Sequence, residues 1–329
     1  MPVLAGDIGG TKTLLQIADF DANRYRVIAQ QRYENSDYDS LTSIVDKFIA
    51  SAHPPRLSAA CFGVAGPINA TASGQQVKLT NLPWVVDSGS LAAAFAIPKV
   101  KLINDFQAAG YGMEVLTPQD LVTLQEGVAQ PHGTRALIGA GTGLGQGMMV
   151  WQGQYYEPRA TEGGHVDFAP TDALQIELLE FLIARYGHVS YERVVSGQGL
   201  VNIYQFLQTR CGQACESDIL DHDDKAAAIA NTALSAQDPL AEQAVDLFVR
   251  IYGAQAGNLA LTVNATGGVP RVRPFVCGCP MPCAHRRTRR PTPVAGCWAS
   301  SLVPTACSHA TWTRAHSSAS FAVTGTATG

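Results

Sequence analysis

The sequence predicts an α/β protein assembled from two related halves. An apolar run that begins at Val3 breaks at two glycines and then resumes, which is the pattern of two strands joined by a tight turn. The same arrangement recurs between Ala136 and Trp151. Between these two pairs of strands and after the second pair, apolar residues recur at helical spacing, which predicts helices. Two such devices in one chain suggest a duplicated fold whose halves grip one ligand.

The first glycine turn has the chemistry of a phosphate-binding hairpin. Its residues are Gly6, Asp7, Ile8, Gly9, Gly10 and Thr11. Glycine has no Cβ atom to keep the backbone away from an anion, so successive N–H groups can point at phosphate oxygens, and a threonine hydroxyl adds a donor. Asp7 ends a strand and is placed to hold a phosphate-bound Mg²⁺ directly or through water. The alternative is an ordinary hairpin whose glycines serve only the turn.

Two common nucleotide-binding motifs are missing from the sequence. Lys12 directly follows Thr11, and no G-x-x-x-x-G-K-[ST] pattern occurs, so the turn is not a P-loop. The later run from Gly139 to Gly147 contains no strict G-x-G-x-x-G, so the Rossmann fingerprint is absent as well.

Composition narrows the class of protein. With 329 residues, 46% of them hydrophobic and 15% charged, the chain has the composition of a globular protein. A formal charge of −4 argues against a nucleic-acid partner. Neither a signal-like N-terminus nor an apolar run of membrane-spanning length occurs, so we expect a cytoplasmic protein without a membrane partner. Three cysteines are expected to be reduced thiols: Cys61, Cys211 and Cys215.

Strands and helices alternate through the first hundred residues. A third strand is predicted over 24–33, a helix over 40–52 and a buried strand over 57–64. Four apolar residues share one face of that helix: Leu41, Ile44, Val45 and Phe48. The strand over 57–64 ends in a segment of glycine and proline. At such a strand end the backbone enters a crevice of the kind where open α/β sheets bind ligands.

A further predicted strand over 99–103 ends at Asn104 and Asp105, just before a helical stretch. An aspartate there can simply favour the helix dipole. At the carboxyl end of a strand it is also a candidate general base.

The second glycine loop follows a strand over 136–138. It includes Gly139, Gly141, Thr142 and Gly143 and repeats the phosphate-binding pattern, although a ligand-free glycine bulge is the alternative. Beyond it, Glu162, His165 and Glu192 are candidate binders of hydroxyl groups, because a carboxylate accepts and a neutral imidazole can donate or accept. Helices are predicted over 172–186 and 238–263.

In this order the motifs resemble those of the ATP-dependent bacterial glucokinases, within the sugar kinase, actin and Hsp70 superfamily. Four motifs support the resemblance between about Val3 and Gly268: GDIGGT, the strand ending in Asn104-Asp105, GAGTGLG, and TEGGH followed by YERVVSG. It implies a two-lobed actin-like ATPase (ribonuclease H-like) fold with a central cleft. Since no cysteine lies between Cys61 and Cys211, we favour the zinc-free glucokinase branch over the repressor and sugar-kinase group.

The resemblance implies a role for each matching position. Asp105 would accept the proton of the 6-hydroxyl of D-glucose, and Asn104, Glu162, His165 and Glu192 would bind the other hydroxyls. The two glycine turns would hold ATP, with Asp7 near Mg²⁺. Related kinases are often dimers, so a homodimer is open. The expected domains are a small α/β domain over 1–108 and a large one over 109–269.

The segment 270–329 departs from this pattern. It contains no Asp, Glu or Lys, yet seven Arg, seven Pro and five Cys. We hypothesise an out-of-frame, disordered tail that replaces the elements with which the family completes its adenosine site, so that this chain folds poorly or binds ATP weakly. The rival interpretation is a zinc site with a C-x-C-x₃-C-x-H spacing, formed by Cys277, Cys279, Cys283 and His285.

Two other classes of function remain as alternatives. A non-catalytic sugar-sensing protein of the same fold would usually carry a DNA-binding helix-turn-helix before the hairpin, and here six residues precede Asp7. An actin-like or chaperone-like ATPase would leave TEGGH and Asp105 without a sugar to serve.

Overall fold

The structure is a computed structural model. It describes residues 2–21, 24–114, 116, 121–125, 127–212, 218–269 and 321–324. Two compact units divide the chain, Met1–Gly112 and a second unit from Met113 onward.

The first unit is organised around a five-stranded sheet with the order β3-β2-β1-β4-β8. Strands β1, β2 and β3 pair antiparallel, whereas β1, β4 and β8 run parallel. A small antiparallel sheet of β5, β6 and β7 belongs to the same unit. The strands are β1 (Pro2–Ile8), β2 (Lys12–Asp21), β3 (Arg24–Glu34), β4 (Ala59–Val64), β5 (Ile68–Thr71), β6 (Gly74–Lys78), β7 (Val85–Asp87) and β8 (Val100–Asn104), and the helices are α1 (Leu41–Ala52), α2 (Ser88–Phe95) and α3 (Asp105–Met113).

Helix α1 shows how local sequence fixes an element of this unit. The Ser40 hydroxyl accepts a hydrogen bond from the Ser43 N–H and so caps the first turn. His53 takes a left-handed conformation, with φ of 44°, and ends the helix. The predicted apolar face is confirmed, because its four residues are all buried. They pack into the core of the first unit with Phe62 of β4 and Leu15 of β2.

The second unit combines an antiparallel sheet, in the order β10-β11-β12, with four helices. Its strands are β9 (Leu121–Gln125), β10 (Arg135–Ala140), β11 (Leu144–Trp151) and β12 (Tyr156–Thr161), and its helices are α4 (Ala173–Tyr186), α5 (Gly197–Cys211), α6 (Lys225–Leu234) and α7 (Pro239–Thr262). Two short 3₁₀ turns, Gly163–His165 and Tyr191–Arg193, carry His165 and Glu192, and Glu162 directly precedes the first of them.

Helix α7 is the long core helix that the sequence predicts over 238–263. Asp238 caps it by accepting from the Leu240 N–H at 2.7 Å. Its most buried face, however, is centred on Leu247 and Ile251, both 1% exposed. The helical spacing of the sequence predicts one apolar stripe formed by Val245, Phe248, Tyr252, Ala256 and Leu259. Tyr252 and Leu259 are buried, whereas the other three are only partly buried, because the stripe lies to one side of the most buried face.

Several predictions fall partly outside the described residues. Within the segment 270–329, the four residues of β13 (Phe321–Thr324) pair antiparallel with β9. The rest of that segment, including the candidate zinc ligands, lies outside the description, as does Cys215. Cys61 and Cys211 are free thiols. Among the described helices, none is long and apolar enough to cross a membrane.

Candidate active site

The first glycine turn joins β1 to β2 and is closed by a hydrogen bond from the Gly9 N–H to the Lys12 carbonyl at 2.9 Å. Asn35, which sequence reasoning missed, anchors the turn. Its amide donates to the Gly9 carbonyl at 2.9 Å and accepts from the Thr13 hydroxyl at 2.7 Å. Both Asn35 and Thr13 are buried. The backbone of the turn is therefore held in place from within the first unit.

The members of the first turn contribute in different ways. A Cβ atom on Gly10 would lie 3.0 Å from the Cβ of Asn81, so only glycine lets these loops approach this closely. Gly6 faces the Phe62 ring, where a Cβ would lie 2.5 Å from a ring carbon. Core packing therefore accounts for the glycine at position 6. The Ile8 side chain is 1% exposed, so only its backbone is available to a ligand. Thr11 is exposed.

Two carboxylates lie at the carboxyl edge of the parallel strands. Asp7 pairs with Gly63 of β4, and Gly63 pairs with Ile103 of β8. Asp105 begins α3 two residues after Ile103 and is exposed. Burial raises the pKa of the Asp7 carboxyl above its ordinary value, and the negative charge of Asp105 raises that pKa further. The structure thus brings the predicted metal-holding residue and the predicted base into electrostatic contact.

Asn104 holds the start of α3. Its side-chain oxygen accepts hydrogen bonds from the backbone N–H of Phe106 at 2.8 Å and of Gln107 at 3.3 Å. The Gln107 side chain accepts in return from the Asn104 N–H at 3.2 Å. This reciprocal arrangement satisfies N–H groups at the helix start. It also fixes the direction in which the strand passes into α3, and so the position of Asp105.

The second glycine loop joins β10 to β11. The Gly141 N–H donates to the Gly143 carbonyl at 2.7 Å, and the Gly141 carbonyl accepts from the Gly197 N–H, also at 2.7 Å, where α5 begins. The Gly141 amide is therefore engaged inside the loop. Gly139 lies within the strand, paired with Gly145. Thr142 is exposed at the tip of the loop.

Glu192 connects this loop to the predicted sugar-binding residues. One carboxylate oxygen, Oε2, accepts from the Leu144 N–H at 2.8 Å and packs so closely against Gly143 that a Cβ there would require the Glu192 side chain to move. The other oxygen, Oε1, lies 3.9 Å from His165 Nδ1. His165 Nε2 lies 3.6 Å from a carboxylate oxygen of Glu162. Three residues predicted separately from the sequence therefore form one cluster.

The TEGGH turn that carries Glu162 and His165 is packed onto β11. The Thr161 hydroxyl donates to the Gln146 carbonyl and accepts from the Gly163 N–H, each at 3.1 Å. A Cβ on Gly163 would lie 2.6 Å from Gln146 Oε1, and a Cβ on Gly164 would overlap the Leu144 carbonyl. The paired glycines thus let the turn lie flat against the strand. In consequence, the side chains of Glu162 and His165 remain 90% and 61% exposed.

These features define a class of protein, the sugar kinases of the actin-like ATPase fold, and solved structures match it. The glucokinase from an Antarctic psychrotroph is 26% identical, with a TM-score of 0.78, and the alignment covers 99% of this chain and 95% of that one. A ROK family glucokinase from Streptomyces griseus, solved in complex with glucose and AMPPNP, shares the fold at 19% identity and a TM-score of 0.54 over 83% of each chain.

Proteins of similar sequence identify the family within this class. A glucokinase from Nostoc sp. strain PCC 7120 is 43% identical over 305 residues, which cover 83% of this chain and 86% of the relative. The family model described as Glucokinase matches residues 4–278, ten residues beyond Gly268, where the resemblance noted in the sequence ends. The chain therefore belongs to the glucokinase family.

Proposed function

We propose that this protein is a hexose kinase that transfers the γ-phosphate of ATP to the 6-hydroxyl of D-glucose, giving glucose 6-phosphate and ADP, the entry step of glycolysis. Family membership and the 43% identity to a glucokinase support the activity. Within the structure, the observation that carries the proposal is the Glu192 carboxylate, which contacts both the second glycine loop and His165. Such a link suits a protein that handles a phosphate donor and a polyol together.

Asp105 is the proposed general base. A sugar hydroxyl is a weak nucleophile, so the transfer needs alignment with the γ-phosphate and a nearby proton acceptor. Asp105 is exposed, starts a helix that is fixed by Asn104, and lies at the carboxyl edge of the parallel strands. Its carboxylate can take the hydroxyl proton as the new P–O bond forms.

The two glycine turns are the proposed phosphate-binding elements, and Asp7 is the proposed carboxylate for Mg²⁺. Magnesium is usually held by one or two carboxylates together with phosphate oxygens and water. The described residues contain no cluster of three His, Cys, Asp or Glu side chains that could hold a metal alone. Burial, and then the negative charge of Asp105, raise the pKa of the Asp7 carboxyl, and a bound cation would favour the ionised carboxylate. When bound, Mg²⁺ neutralises charge on the transferred phosphoryl group.

Specificity for glucose is proposed to come from hydrogen bonds to its hydroxyls. Glu162, His165 and Glu192 form one polar cluster within the second unit, and Asn104 of the first unit is a further proposed hydroxyl-binding residue whose side-chain oxygen is engaged in capping α3. A site built to bond hydroxyls rejects sugars that lack them, because its polar groups are then left unpaired. A homodimeric state and a cytoplasmic location stay predictions.

The test is the activity of the purified protein, with its reading frame restored after Gly268, toward ATP, Mg²⁺ and glucose, followed as ADP release, because the 329-residue chain itself is expected to bind ATP weakly. We expect glucose-dependent turnover, and we expect Asp105→Ala to lower kcat by about 10² to 10⁴-fold while glucose binding, measured by calorimetry, largely survives. Asp46→Ala is the matched control, since Asp46 is an exposed carboxylate on α1. If glucose does not raise ATP consumption, the sugar assignment is wrong.

A further inference from the structure

Gly63 lies between Asp7 and Asp105, the two carboxylate residues at the carboxyl edge of the parallel strands of the first unit. It is a buried residue of β4, the strand that separates β1 from β8. Its partners in the sheet are Asp7 on one side and Ile103 on the other. The residue is not among the glycines with positive φ. Backbone conformation therefore does not require glycine at this position, and another cause must be sought.

Space is that cause. A Cβ atom on Gly63 would lie 3.0 Å from the Cβ of Ala108 and 3.8 Å from the Cα of Asp105. Carbon atoms in ordinary contact are about 3.5–4.0 Å apart. The first turns of α3 therefore rest directly on β4, and a methyl group on Gly63 would push strand and helix apart by a few tenths of an ångström.

We propose that Gly63 is a positioning residue for phosphoryl transfer: its missing side chain lets α3 seat against β4 and thereby sets the location of Asp105 relative to Asp7. This inference rests on the proposed role of Asp105 as the base. Displacement of a catalytic group by about 1 Å can cost about 10²-fold in rate. Because Asp105 begins the helix that would move, a small shift of α3 is carried directly to the carboxylate.

The structure supplies a compensating change and a control. Ala108→Gly removes the methyl group that a new side chain at position 63 would meet, so Gly63→Ala combined with Ala108→Gly restores the space. Gly112 belongs to the same helix, and a Cβ there would meet nothing within 4 Å. Gly112→Ala therefore reports the effect of adding a methyl group to α3 without crowding β4.

The experiment compares the full chain with four variants: Gly63→Ala, Ala108→Gly, the double variant and Gly112→Ala. For Gly63→Ala we expect kcat to fall about three- to tenfold, with the dissociation constant for glucose and the unfolding temperature changing much less. The double variant regains most of the kcat of Ala108→Gly, and Gly112→Ala keeps the unaltered rate. Crystal structures of the single and double variants should show Asp105 displaced and then returned.

An unchanged kcat in Gly63→Ala, or an unmoved α3 in its crystal structure, overturns the inference. So does a loss of kcat that Ala108→Gly fails to reverse although the double variant folds. The proposed function fails separately, if Asp105→Ala retains turnover or if glucose does not stimulate ADP release. In that case the displacement of Asp105 in the crystal structures still decides whether Gly63 sets its position.

Discussion

The carboxylate of Glu192 accepts a hydrogen bond from the backbone N–H of Leu144 at 2.8 Å, so a predicted sugar-binding residue also holds the second glycine loop. The two residues are 48 positions apart in the chain. The Oε2 atom of Glu192 accepts the hydrogen bond from the loop, whereas Oε1 faces His165. The predicted sugar-binding residues and the predicted phosphate-binding loop of the second unit are therefore in direct contact through Glu192.

Substitutions of Glu192 should separate its two tasks. Glu192→Gln keeps a carbonyl oxygen that can accept from Leu144 but removes the negative charge beside His165. We expect it to raise KM for glucose by about tenfold, the cost of one weakened hydrogen bond to a charged group, and to leave KM for ATP nearly unchanged. Glu192→Ala removes both contacts and should raise both KM values. Steady-state kinetics with each substrate varied in turn measures the difference.

The matched control is Glu177→Gln. Glu177 forms an exposed ion pair with Arg210 on the surface, and such pairs contribute little. The Glu177→Gln substitution should leave the KM values for glucose and for ATP unchanged. Equal effects of Glu192→Gln and Glu192→Ala on ATP would contradict the anchoring of the loop.

Asn35 should matter for both stability and nucleotide binding. Asn35→Ala leaves the buried Thr13 hydroxyl and the Gly9 carbonyl without their partner, which costs about 1–3 kcal/mol for each buried group left unpaired. We expect a lower free energy of unfolding in urea and a higher KM for ATP, because the first glycine turn loosens. Gln30→Ala removes an exposed hydrogen bond to Gln16 on the neighbouring strand and should have little effect on either quantity. A stable Asn35→Ala variant would show that the turn does not depend on this anchor.

Local signals in the sequence were sufficient for part of this fold. The apolar spacing of α1 and its serine cap are contained within a dozen neighbouring residues, so the helix and its buried face could be predicted. Asp105 could also be placed, because the change from strand to helix immediately surrounds it. Each of these inferences depends on residues that are close in the chain.

The remaining features depend on contacts that a local pattern does not contain. Helix α5 begins with Gly197-Gln198-Gly199, which is a poor start by propensity, and its stability comes from burial of residues such as Tyr204. Asn35 reads as a turn residue, yet it bonds to Gly9, 26 positions earlier. Gly63 could be recognised as the glycine near a strand end, but its crowding by Ala108 appears only when α3 is packed on the sheet.

The ionised Asp7 carboxylate should lower the free energy of unfolding at neutral pH in metal-free buffer. Its pKa is raised in the folded protein, first by burial and then by Asp105, so the folded state favours the protonated carboxyl. The stability that Asp7 contributes is then complete below the ordinary aspartate pKa of 3.8 and is lost as the pH rises through the higher folded value. Asp7→Asn does not titrate. We expect it to be more stable than the parent chain at pH 7, with a difference that shrinks as the pH falls toward 4.

Thermal unfolding across this pH range, with a chelator present, measures that difference. Asp46→Asn serves as the control, since Asp46 is exposed on α1 and should give a pH profile like that of the parent chain. In the presence of Mg²⁺ and ATP, Asp7→Asn should lose most of its turnover. An Asp7→Asn variant whose stability follows the parent at every pH would contradict the raised pKa of Asp7 in the folded protein.

The segment 270–329 should prove to be encoded out of frame. It has no Asp, Glu or Lys and is rich in Arg, Pro and Cys, whereas the preceding residues have an ordinary mixture of charges. The family model ends its match at residue 278, so it does not cover most of this segment. Resequencing the DNA around the codons for Gly268 to Arg271 should reveal a gained or lost base. Restoring the frame should then yield a chain that continues with acidic residues and lysines and binds ATP more tightly than the 329-residue chain, as measured by calorimetry. An intact frame through Pro270, or one bound zinc ion per purified chain, would instead favour the rival site formed by Cys277, Cys279, Cys283 and His285.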